Sequence, residues 1–134
     1  MARCCMTPYI DEARRLVRLA RRDYQTCAIL TSHPEAQIAP ICFHAQQCVE
    51  KSLKAAMTAN QVYFRYTHDL GELTNLLTSA GIAPPFTAAE LQRLTPFAVE
   101  LRYDEAISLL TREEADQIAT RTLAWAETLV AKAQ

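Results

Sequence analysis

The sequence predicts an all-α protein, an up-and-down antiparallel bundle of about five helices around a four-helix core. Three observations carry that expectation. Leu, Ala, Glu, Arg and Gln abound, and these are strong helix formers. Only two glycines occur in 134 residues, too few for the tight turns of a β-rich chain. Apolar residues recur at helical spacing in one segment after another, and a Ser or Thr three residues before a Glu marks several segment starts.

The first predicted helix covers about residues 9–31, with Ile10, Ala13, Leu16, Val17, Ala20, Tyr24 and Cys27 on one stripe. "SHPEA" restarts the chain: Ser32 and Glu35 are spaced as a capping box, and Pro34 suits a first turn. The second helix then runs to about Ala59, burying Ala45, Val49, Ser52, Leu53 and Ala56. In "THDLGELTNLLTSAG", Thr67 caps, Asp69 favours the positive helix start, and Leu70, Leu73, Leu77 and Ala80 face inward until Gly81 ends the run. Thr87 and Glu90 form a second box, opening a segment that Pro96 kinks or interrupts. Thr111 and Glu114 form a third, opening a helix to about Ala133. Its inward residues are Ala115, Ile118, Ala119, Thr122, Leu123, Ala126 and Val130, with Trp125 on the margin.

The length fits one domain, residues 1–134. A formal net charge of −1 supplies no global field for nucleic acid or membrane, so any basic surface must be local. No apolar run approaches the ~20 residues a membrane span needs. Five cysteines without a C-x-x-C, and no secretory leader, point to a reducing cytoplasm in which Cys27, Cys42 and Cys48 are small buried hydrophobes.

Few chemical motifs stand out. Arg14, Arg15, Arg18, Arg21 and Arg22 share one arc of the first helix. That ribbon suits a phosphate backbone, or is a solvated face moderated by Asp11, Glu12 and Asp23. His44 and Cys48 are spaced i, i+4, but a metal needs further ligands from His33, His68 or a distant carboxylate, and none is indicated. No G-x-S-x-G or phosphate-cradling glycine loop occurs, and nothing calls for a cofactor. In "FHAQQCVEKSLKAAM", Gln47, Glu50 and Lys54 lie on one side of the second helix, flanked by His44 and Lys51. Glu50 and Lys54 make a favourable i, i+4 pair, expected on a solvated surface.

Ala45, Gln47, Glu50, Lys51, Lys54 and Ala55, then "THDL" at 67–70, then Arg102 and Tyr103, follow one another in an order that resembles the HEPN family of compact helical bundles. The resemblance covers nearly the whole chain. It implies a homodimer, or a partnership with a minimal nucleotidyltransferase in a prokaryotic toxin–antitoxin module or as a substrate-binding subunit. It also implies a cleft or dimer seam where the polar residues of the second helix approach the late Arg-Tyr. Lys51, Lys54, Arg102, His44, Gln47 and Tyr103 are then the candidate nucleotide- or phosphate-binding residues. Glu50 is their structural partner, and an Arg102–Glu50 tie between helices is the plainer alternative.

Many members of that family are ribonucleases with R-x4-6-H in a late helix. Here the positions that should hold His after Arg102 are Ile107, Ser108 and Leu109, none of which moves a proton near neutral pH. A dimeric ribonuclease toxin is therefore disfavoured. Two readings remain: a non-catalytic subunit that binds nucleotide or RNA phosphate, and a purely structural dimerisation module.

Overall fold

The computed structural model describes residues 8–98 and 110–133. Within them the chain forms α1 (Pro8–Thr31), α2 (Ile38–Ala59), α3 (Leu70–Ser79), α4 (Ala88–Gln92), a 3-10 turn (Thr95–Ala98) and α5 (Arg112–Lys132). No strand occurs among the described residues, and the fold is an all-α bundle.

Contacts fix the directions. Asp23 meets His44 and Lys51, whereas Ala13 and Val17 pack with Ala55 and Ala59, so α1 and α2 are antiparallel. Arg21 reaches Glu127 and Arg112 reaches the carbonyl end of α1, so α1 and α5 are antiparallel too. The Cys48 thiol faces the Ala119 carbonyl and Val130 joins Ala55 and Ala59, so α2 runs parallel to α5. That is the diagonal relation of an up-and-down bundle.

α2 is the central element, packed against α1, α3, α5 and the 3-10 turn. Leu53 and Met57 from α2, Leu70, Leu73 and Leu77 from α3, Leu91, Leu94, Phe97 and Leu123 meet in one core. Every inward residue expected of α5 is buried, with Trp125 half-buried at the edge. Both boxes at Thr87–Glu90 and Thr111–Glu114 are closed reciprocally. Cys27, Cys42 and Cys48 are buried and unbridged, and burial pushes their thiols up to about 11, 12 and 12.

Several local expectations are corrected. The Ser32–Glu35 box does not form: α2 starts at Ile38 behind Gln37, which makes no side-chain cap, and Ser32 donates back to Ile29 O. The cause is tertiary. Arg112 at the start of α5 donates to the carbonyls of His33 (2.9 Å) and Ala36 (2.6 Å), holding the link as a turn. Pro40 occupies the first turn of α2, where no N–H is required.

At α3 the cap is Asp69, whose carboxylate accepts from Glu72 N at 3.0 Å. Thr67 instead accepts from Asp69 N. Ala80 is the exposed C-cap rather than part of the stripe. Pro96 interrupts its segment outright. Its ring clashes with the carbonyl four residues back, and α4 ends at that residue, Gln92.

Candidate functional site

The polar face of α2 begins with an i, i+4, i+8 series: Gln46, Glu50 and Lys54 form one stripe along the helix. Contrary to expectation this stripe is not solvated. Gln46 is 0% exposed, Glu50 7% and Lys54 9%, because α2 is surrounded and the segment before α3 covers its remaining side. Glu50 accepts from Gln46 (2.9 Å), from Lys54 (2.9 Å) and from His68 Nδ1 (2.9 Å). An ionised acceptor requires a His68 hydrogen on Nδ1, and the other ring nitrogen, Nε2, lies 3.3 Å from the Tyr66 hydroxyl. Lys54 Nζ lies 5.2 Å from the Tyr66 ring centroid and 5.8 Å from that of Phe64, so aromatic faces complete its shell.

Burial is the largest single influence on the Glu50 carboxyl and pushes it up. The hydrogen bonds from Lys54, Gln46 and His68, with the charge of Lys54, more than offset it, and the group titrates below its ordinary value. Glu50 is therefore a carboxylate committed to the fold.

A second cluster continues the first. Gln47 donates to Gln46 Oε1 at 2.7 Å and accepts from Lys51 at 3.1 Å. Lys51 pairs with Asp23 of α1, whose other oxygen lies 3.3 Å from His44 Nδ1. One hydrogen-bonded chain thus crosses α2, from Asp23 through Lys51, Gln47, Gln46 and Glu50 to His68. Its two exposed ends differ. At one, the side chains of His44 and Lys51 keep 29% and 25% exposure, and at the other His68 keeps 41%.

Four predicted site residues, His44, Gln47, Lys51 and Lys54, are brought into this network together with Glu50. Arg102 and Tyr103 lie outside the described residues, as does the Arg102–Glu50 tie. Sequence reasoning missed three members. Gln46 was legible in the i, i+4 series. Asp23 was read only as a moderator of the arginine ribbon. His68 lies 18 residues from Glu50, beyond any local spacing rule. The pairing of His44 with Cys48 does not form, since the thiol faces Ala119 O. Among the described residues no group of three or more His, Cys, Asp or Glu is placed to hold a metal ion.

A surface groove of about 580 Å³ between α3 and α4 is a separate feature. Asp69 and Glu72 line it, and carboxylates oppose an anionic ligand.

A helical bundle whose second helix carries a continuous polar network is the class of protein that fold and site define. A family model described as the HEPN domain matches residues 13–131, and the chain belongs to that family. No curated protein and no solved structure gives a significant match. No helix among the described residues is long and apolar enough to cross a membrane.

Proposed function

We propose that this HEPN domain is a non-catalytic subunit that binds nucleotide or RNA phosphate. It does so as a homodimer or beside a nucleotidyltransferase, in a prokaryotic cytoplasm, within a toxin–antitoxin or substrate-binding arrangement. The observation that supports the reading is that His44 and Lys51 stand together on Asp23 at the solvent-facing end of the α2 network, 29% and 25% exposed, where an imidazole and an ammonium can both reach a phosphate. The residues Ile107, Ser108 and Leu109, where the nuclease pattern requires His, support it further. On this reading Lys54 is structural. Lys51 and His44 face the ligand, joined by Gln47, Arg102 and Tyr103, and an incoming phosphate shares them with Asp23.

The test is gel retardation of end-labelled RNA with the purified chain. Retarded but intact RNA is expected, with Lys51→Ala and Arg102→Ala each weakening retention several-fold at unchanged melting temperature. Cleavage that disappears in Arg102→Ala would overturn the non-catalytic assignment. The purely structural dimerisation module is favoured by one observation, the saturation of Lys54 by Glu50, and absence of any retardation would leave it standing alone.

A further inference from the structure

The arginine face of α1 has an unusual local pattern. The four helical neighbours of Arg18, at i±3 and i±4, are Arg14, Arg15, Arg21 and Arg22. Like charges at these spacings repel one another. Five of the chain's 14 basic residues fall within residues 14–22 of a protein whose net charge is −1, so the concentration is local and not a by-product of overall basicity. Part of the repulsion is answered inside the fold. Arg15 pairs with Glu12 through two 2.9 Å hydrogen bonds, Arg21 with Glu127 of α5, and Arg14 is engaged as well. Arg18 has no ion-pair partner among the described residues.

Arg18 also sits on a groove. Between α1 and α5 lies an open depression of about 320 Å³, with Arg14, Arg18, Arg21 and Glu127 around it and Val17 and Val130 below. Glu127 is taken by Arg21, whereas Arg18 brings its charge to the groove with no ion-pair partner among the described residues. Arg14 and Arg21 are seven residues apart, a rise of roughly 10 Å along the helix, so the cations form a line rather than a point. A line of planar, permanently charged forks over an apolar floor matches an extended chain of phosphates. Arginines in a single row can follow the phosphates of one strand.

We infer that the α1–α5 groove, centred on Arg18, is where the phosphate backbone of a single RNA strand lies. This rests on the reading that the domain binds RNA phosphate, and moves the main backbone contact from the α2 face to the opposite side of α1. Binding there is electrostatic and independent of base sequence, and it relieves the repulsion that converges on Arg18.

The experiment is fluorescence anisotropy of a labelled oligouridylate with the full chain, over about 50 to 200 mM salt. Each phosphate contact adds about −0.7 to the slope of log affinity on log salt, so Arg18→Ala makes the wild-type slope shallower by about that amount. Arg18→Glu weakens binding at least about tenfold, equally for other base sequences. Neither variant lowers the melting temperature, because the side chain is exposed and its neighbours repel it. RNA binding unchanged in Arg18→Glu would overturn the groove while leaving RNA binding by the domain intact. No wild-type binding at the lowest salt would overturn both. Arg18-dependent capture of phosphatidylserine vesicles or of a poly-glutamate peptide, with RNA ignored, would overturn the RNA assignment in favour of that ligand.

Discussion

The polar stripe of α2 and the arginine face of α1 are both charged helix faces, yet the fold treats them in opposite ways. On α2 the charges are of both signs, buried and saturated: Lys54, Gln46 and His68 all end on one carboxylate. On α1 they are of one sign and mostly exposed, with Arg15 answered by Glu12, Arg21 by Glu127, and Arg14 engaged as well. Breaking a buried pair leaves a charge without water or partner and costs several kcal/mol, whereas exposed charges contribute little to stability and remain available to a ligand. Helical position alone does not separate the two cases. What separates them is whether another part of the chain covers the face.

The largest effect expected from that contrast is at Lys54. Lys54→Ala leaves Glu50 buried beside only Gln46 and His68, and denaturant melts should show a loss of about 3 kcal/mol or more. Stability unchanged within error would break the comparison, because Lys54 would then behave like a surface lysine.

Acid titration sharpens the same point. The folded-state pKa of Glu50 lies below its ordinary 4.5, so its stabilising contribution is complete above about pH 4.5 and is lost as pH falls through the lower folded value. The melting temperature should fall on that acid limb, and less steeply in Glu50→Gln. An identical limb in the variant would assign the acid sensitivity to other carboxylates.

A smaller effect concerns the segment that covers α2. A Cβ at Gly71 would stand 2.6 Å from Gln92 Oε1, the atom to which Gly71 N donates. Gly71→Ala should cost about 1–2 kcal/mol through overpacking and the displaced hydrogen bond. If Gln92 swings aside freely, the melt will show no change, and this anchor of the α3 start is dispensable.

At the end of α2, Asn60 is the C-cap and Gln61 adopts φ 55°, a left-handed conformation that favours glycine. Gln61→Gly should therefore raise stability by about 0.5–1 kcal/mol. A lower melting temperature would show that the Gln61 side chain supplies something its backbone strain conceals.

What was legible in the sequence follows the range of the interaction. The stripe of α5 and the boxes at Thr87 and Thr111 are set by residues within one or two turns, and they stand as expected. The start of α2 was not legible, because Arg112, distant in sequence, fixes the preceding turn. The Glu50–Lys54 spacing was visible, but its burial depends on His68 and the packing around α2. Gln46 belonged to a readable series, and Asp23 was read on the wrong side of α1.

On the proposed function, the α2 stripe holds the fold while the exposed cations meet the ligand. The most direct test is to measure melting temperature and RNA affinity on the same preparation of Lys54→Met. A lowered melting temperature is expected, with the folded protein retaining wild-type affinity at low temperature. An unchanged melting temperature with RNA binding lost would make Lys54 a ligand residue and contradict that expectation.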